Sequence, residues 1–188
     1  MKRLAVIVLL ATGLLVGVMP GLAKKKAKPI IEAFEATVPG GQVLRFEIEE
    51  FSTNQAIQEL AKAYAKGGKD AVESALGKVK NGHYSIRQDS YPIRLVQSVS
   101  QQDGTRTINI TAAAADRIVG DFGGQVSIGH RGYPFAFAQL QIDQQGRGVG
   151  QLVPFAAITF NKQGVIEINS MPVGSEVIRL VNVHTVTQ

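Results

Sequence analysis

The sequence contains no cysteine and no tryptophan. Without cysteine there is no disulfide to brace the fold, no thiolate metal site and no lipid-modified cysteine behind a leader peptide. Without tryptophan, and with aromatic residues at 6% of the chain, the stacking platforms that accompany single-stranded nucleic-acid binding are missing. Histidine is scarce as well. His83, His130 and His184 lie far apart, none at the i, i+4 spacing of a helical zinc site, so nothing in the sequence calls for a metal or any other cofactor. Neither a Gly-x-Ser-x-Gly elbow nor a Ser-x-x-Lys motif occurs, which removes the sequence-readable acyl-transfer sites.

Charge of one sign is also lacking once the chain is divided. The whole sequence carries a formal charge of +5, but Lys2, Arg3, Lys24, Lys25, Lys26 and Lys28 account for six of its 20 basic residues. From Pro29 onward the remaining fourteen face 15 acidic residues. The body is therefore electrically balanced and offers no basic face for nucleic acid.

What is present begins with a leader. Lys2 and Arg3 precede an apolar run from Leu4 to Met19, and Gly21 and Ala23 supply the small residues of a cleavage site. Sixteen residues span roughly 24 Å as a helix, short of the roughly 30 Å bilayer core. The expectation is a signal peptide over residues 1–23, a basic tail over 24–29 and a single domain over 30–188, exported to the periplasm or the extracellular space. Lys24, Lys25, Lys26 and Lys28 are enough for transient contact with an anionic membrane surface, at about 1 kcal/mol each.

In "QVLRFEIEEF", Leu44, Phe46 and Ile48 alternate with Arg45, Glu47 and Glu49, the period of a half-buried strand. It pairs with residues 31–38 across Pro39, Gly40 and Gly41. A helical segment follows, with Ile57, Leu60, Ala61 and Tyr64 on one face and Ser52 with Gln55 as a capping box. Gly67 and Gly68 end this helix, and Asp70 with Glu73 open a second. Beyond Gly82 the runs "YPIRLVQSVS", "TRTINITA", "YPFAFAQLQI", "GQLVPFAAITF", "VIEIN" and "VIRLVNVHTV" all read as strands. The fold class expected is α+β: an antiparallel β-sandwich or barrel with a helical hairpin inserted after the second strand.

The glycine-rich run "DQQGRGVGQ" invites comparison with a phosphate cradle, but it leads into a strand containing Pro154 rather than into a helix N-terminus. Gly104, Gly146 and Gly164 each close a short turn between strand-like runs, which assigns them left-handed turn positions. Gly148 and Gly150 then mark a bulge or a close backbone approach.

The segment "DRIVGDFGGQVSIGHRGYPF" stands apart from this strand grammar. It is long and glycine-rich, and it carries Asp116, Arg117, His130, Arg131 and Tyr133, the residue types of a ligand-binding loop on a β scaffold. These five are the candidate binding residues; no catalytic or metal-ligating residue is assigned.

Gly67-Gly68, Asp116-Arg117, Tyr133-Pro134-Phe135, Asp143 with Gly146, Gly148 and Gly150, and Arg179-Leu180 with Val183 together form a pattern. It resembles that of a family of small secreted bacterial proteins, with Ile118 standing where the family pattern has proline. The resemblance implies export and no particular activity, cofactor or catalytic residue. The functional expectation is a non-enzymatic exported protein that binds a small amphipathic ligand in its β interior, or an envelope protein on its surface. The alternative is a hydrolase using carboxylates of the 116–135 loop. Alanines at 112–115, 136, 138, 156 and 157 suit either a cavity or tight packing.

Overall fold

The computed structural model describes residues 28–113, 132–171 and 177–187. Nine strands and one helical element follow in the order β1 (Glu32–Thr37), β2 (Val43–Ile48), α1 (Asn54–Leu76), β3 (Gly82–Ile86), β4 (Asp89–Ser100), β5 (Arg106–Ala113), β6 (Phe135–Ile142), β7 (Arg147–Phe160), β8 (Ile166–Ser170) and β9 (Ile178–Thr185). The sheet order is β6-β5-β4-β3-β2-β1-β9-β7, and β6 pairs again with β7. This second pairing closes eight antiparallel strands into a barrel. Of the sandwich and the barrel, the chain forms the barrel. β8 lies outside the ring, paired with the far half of β7 from Ala156↔Ser170 to Phe160↔Ile166.

Alternation explains the interior. Phe34, Ala36, Leu44, Phe46, Ile48, Tyr84, Ile86, Ile108, Ile110, Leu140 and Leu180 are all buried in one apolar cluster. Apart from Ala33 and Val43, their outward neighbours on β1–β3 are charged or polar: Glu35, Thr37, Arg45, Glu47, His83 and Ser85. A barrel that spans a membrane has the opposite arrangement, with its apolar band facing out. Ala112, Ala136 and Ala138 stand around Phe46 and Tyr84 inside the barrel, small residues making room for two rings. The two rings are 6.1 Å apart, and Tyr84 stacks on Tyr91 at 5.2 Å.

The turns form as their glycines require. Gly104, Gly146 and Gly164 have φ of 82°, 75° and 75°, and each turn is tied by its aspartate or asparagine. Asp103 accepts from Thr105, Asp143 from Gln145 and Arg147, and Asn161 from Gln163 and Val165. Two backbone N–H bonds to Asp143 thus occupy the start of the glycine-rich run. Gly148 and Gly150 mark a close approach: a Cβ on Gly148 would lie 1.7 Å from the Gln141 carbonyl oxygen. The β7–β9 register also shifts between them.

The helical region differs from the expectation in two respects. The two helices anticipated as a hairpin form one helical element, Asn54–Leu76, bent at Gly67 (φ −146°, ψ 16°) and Gly68 (φ 63°, ψ −149°). The two non-helical residues interrupt the helix, and helical dihedrals resume directly after them. The bend is sharp. Ala56 and Leu60 line the same groove as Ala75 and Leu76, whereas a straight helix would set Ala56 and Leu76 roughly 30 Å apart. The second difference is the N-cap. Thr53, not Ser52, caps the helix, its Oγ accepting from the Ala56 amide at 3.1 Å.

The helix covers the outside of the barrel. Leu60, Val72 and Leu76 bury against Leu95 of β4, Phe135 of β6 and Ile158 and Phe160 of β7. The Tyr64 and Phe160 rings meet at 5.8 Å. This second core explains why β7 is buried continuously from Leu152 to Phe160: its far half is covered on both faces.

Candidate functional site

The residues anticipated as a binding loop fall mostly outside the described residues: Asp116, Arg117, His130 and Arg131 all do. Tyr133 is described and half-buried, with Lys69 Nζ over its ring at 5.4 Å from the centroid. Tyr133 therefore fastens the end of that segment to the helix one residue past Gly68.

The described residues of the barrel interior are closely packed. Between Leu44, Phe46, Tyr84, Ile110, Ala112, Ala136, Ala138 and Leu152 there is only packing space too narrow for a water molecule. Tyr84 fills its centre, its hydroxyl donating to the Ala113 carbonyl at 3.3 Å. Burial, reinforced by the neighbouring Tyr91, pushes its phenol well above the usual tyrosine range.

Open space lies instead where the bent helix meets the barrel. A groove of about 330 Å³ runs between residues 50–60, residues 75–81 and β4. Leu60, Leu76, Val79 and Leu95 give it apolar walls, while Glu50, Ser52, Thr53, Glu59, Asn81 and Arg94 supply polar atoms. Local bonding fixes several of these. Ser52 Oγ accepts from Asn81 Nδ2 at 2.8 Å and from the Val96 amide at 3.0 Å, and the Ser52 amide donates to Val96 O at 2.8 Å. The chain leaving β2 is thereby stitched to β4. Arg94 Nη1 donates to the carbonyls of Gly77 at 3.0 Å and Val79 at 2.7 Å, a cation placed at the helix C-terminus. Asn81 is itself buried, and its carbonyl accepts from the amides of Glu49 and Glu50.

The groove combines apolar walls with a few placed polar atoms. No histidine lines it, so the Ser52 hydroxyl has no base beside it. Glu50 is half-exposed and paired with Lys28, whose ammonium is raised above its ordinary value by the hydrogen bond to Glu50 and by that carboxylate's charge. Glu59 accepts from Gln55 at 3.2 Å on its own helix. Lys28 was grouped with the membrane-facing lysines; here it is engaged with Glu50, and Lys24, Lys25 and Lys26 lie outside the described residues.

Two of the histidines join a charged row on the outside of β9, β1, β2 and β3. Arg45 bridges Glu35 at 2.9 Å and Glu47 at 2.8 Å, and these hydrogen bonds, Glu47 first, raise its guanidinium further. Glu47 also contacts His83 Nε2, while Glu49 lies 3.8 Å from His83 Nδ1 and 3.6 Å from Lys80. His184 Nε2 is 3.7 Å from Glu35. Cations are interleaved with every carboxylate of this row, and no group of three potential metal ligands occurs among the described residues.

Of the groove residues, Phe51, Asn81, Arg94 and Leu95 carried no functional signal in the sequence beyond one oddity, a charged Arg94 inside the apolar run "PIRLV". Comparison with protein-family models, with curated proteins and with solved structures finds no match for this chain.

Proposed function

We propose that this chain is an exported, non-enzymatic protein of the periplasm or extracellular space that binds a small amphipathic ligand in the groove between α1 and the barrel. One contrast carries the reading: the described interior residues are closely packed, while the groove is open, walled by Leu60, Leu76, Val79 and Leu95 and rimmed by fixed polar groups. Binding sites are usually concave, mostly apolar and supplied with a few placed polar atoms. The leader over residues 1–23 and the family resemblance support the exported location.

The test is titration of the folded protein with an environment-sensitive apolar dye, comparing the natural chain with Ala56→Trp, which fills the groove from the helix side. Stoichiometric binding by the natural chain, weakened at least tenfold in Ala56→Trp at an unchanged melting temperature, is the expected result. Absence of binding below the unfolding temperature, or equal binding by both, sinks the groove reading. The mass of the chain recovered from its own cells tests the export half: loss of residues 1–23 is expected, and an intact N-terminus contradicts it.

A further inference from the structure

We propose a second binding surface, chemically unlike the groove: a patch of two uncharged rows on the outer face of β4, β5, β6 and β7, which suits a neutral glycan. Register assembles it. Gln97 pairs with Asn109, Asn109 with Gln139 and Gln139 with Gln151, so one row of four carboxamides crosses four strands. The adjacent row on the same face runs Val99, Thr107, Gln141, Val149. None of these eight side chains ionises. The contrast with the charged row on β1–β3 is complete, and Arg179, opposite Gln151 on β9, is the first charge met along the carboxamide row.

The carboxamides are oriented head to tail. Gln151 Nε2 donates to Gln139 Oε1 at 3.4 Å, and Gln139 Nε2 donates to Asn109 Oδ1 at 2.9 Å. A carboxamide has two N–H donors and two acceptor lone pairs. Gln139 therefore spends one of each inside the row and keeps one of each for a ligand, the donor and acceptor side by side. Adjacent hydroxyls of a sugar, each both donor and acceptor, match that presentation. Neither row contains a cation or an anion; Arg179, opposite Gln151, and Arg147, two residues from Val149, stand at its border.

Shape and apolar contact agree with this ligand class. Gln139, Gln141, Val149, Gly150 and Gln151 surround a shallow concavity of about 170 Å³. Val149 and Val99 are close to half exposed and flank the Thr107–Gln141 pair. They offer C–H surface to the apolar face of a sugar ring. Rows on neighbouring strands repeat about every 4.8 Å, so a linear chain of rings laid across the strands meets a new carboxamide at each step.

The test is a ¹H–¹⁵N titration of the folded chain with cellotetraose and with chitotetraose, following the side-chain NH₂ signals of Asn and Gln. The proposal expects saturable shifts at Asn109, Gln139, Gln141 and Gln151 with at least one of these glycans. It also expects at least tenfold weaker binding by Gln139→Ala/Gln151→Ala at an unchanged melting temperature. Ala56→Trp leaves the glycan shifts intact, which separates this surface from the groove. No saturable shift with either glycan, shifts that survive the double substitution, or line broadening of the patch that follows protein concentration instead of glycan, which means self-association, each overturns the proposal.

Discussion

Glu32 and Arg106 form an ion pair across the end of the barrel from strands that stand four places apart in a ring of eight. Both point inward by alternation: Glu32 precedes buried Phe34 on β1, and Arg106 precedes buried Ile108 on β5. The pair is bidentate, with Nη1 bonding Oε2 at 3.4 Å and Nη2 bonding Oε1. It closes the apolar core with a charged bolt where side chains would otherwise meet water, and it joins opposite walls that share no backbone hydrogen bonds.

Breaking this pair will cost more than an ordinary surface ion pair. Exposed pairs are worth about 0.2–1 kcal/mol, whereas Glu32 is only 16% exposed and its removal strands a guanidinium in the barrel mouth. Glu32→Gln is expected to lower unfolding stability by about 1–2 kcal/mol. Arg106→Met is expected to cost less, because the arginine is the more exposed partner. Urea melts of both variants and of the double variant give the coupling, and zero coupling removes the bolt.

Gly148 is expected to be far harder to replace than Gly40. An added Cβ meets Gln141 O at 1.7 Å and its carbonyl carbon at 2.8 Å, both backbone atoms of the neighbouring strand. Gly148→Ala must push β6 and β7 apart and is expected to cost about 3 kcal/mol or more. At Gly40, φ is +92° but nothing lies within 4 Å of the added carbon, so Gly40→Ala pays only the positive-φ penalty, about 1–2 kcal/mol. Thermal melts rank the two, and the reverse order contradicts the close approach.

The strands and turns were legible because they rest on local signals. Alternation at Leu44, Phe46 and Ile48, and glycine at the last position of three turns, reflect side-chain period and a positive φ, both of which act within a few residues. β3 went unrecognised because Gly82–Ile86 is five residues long and its buried members, Tyr84 and Ile86, are interleaved with only His83 and Ser85. Gly67-Gly68 was legible as an interruption because both residues leave helical dihedrals, but the sharp turn that brings Ala56 and Leu76 to one groove has no local signal. Barrel and sandwich differ in one pairing, β6 with β7 as a ring closure, and no local pattern encodes that. The groove was invisible for a related reason: Ser52, Asn81 and Arg94 come from three segments that meet only when β2, β3 and β4 lie side by side.

Ser52 and Thr53 are adjacent hydroxyls with different tasks, and substitution will separate them. Thr53→Ala removes the cap on Ala56 N and is expected to cost about 1 kcal/mol. Ser52→Ala leaves Asn81 Nδ2 and the Val96 amide without their acceptor near the groove, and a loss of about 1–3 kcal/mol is expected. Hydrogen exchange distinguishes them. Thr53→Ala speeds exchange in the first helical turn, while Ser52→Ala speeds it at Val96. Identical exchange patterns contradict the division.

Tyr84 makes the fold sensitive to high pH. Its phenol is held well above the usual tyrosine range mainly by burial, so the folded chain keeps a proton that the unfolded chain releases near pH 10. The contribution to stability is fully present below that value and is lost as pH rises through it, at about 1.4 kcal/mol per pH unit from this one group. Tyr84→Phe removes the ionisable group and keeps the ring against Phe46 and Tyr91. It gives up one long hydrogen bond to Ala113 O, about 0.5–1.5 kcal/mol at neutral pH. Stability curves of the two chains are therefore expected to converge and then cross between pH 10 and 12, with the phenylalanine variant the more stable on the alkaline side. Parallel curves across that range mean that Tyr84 ionises in the folded chain and that its burial is incomplete.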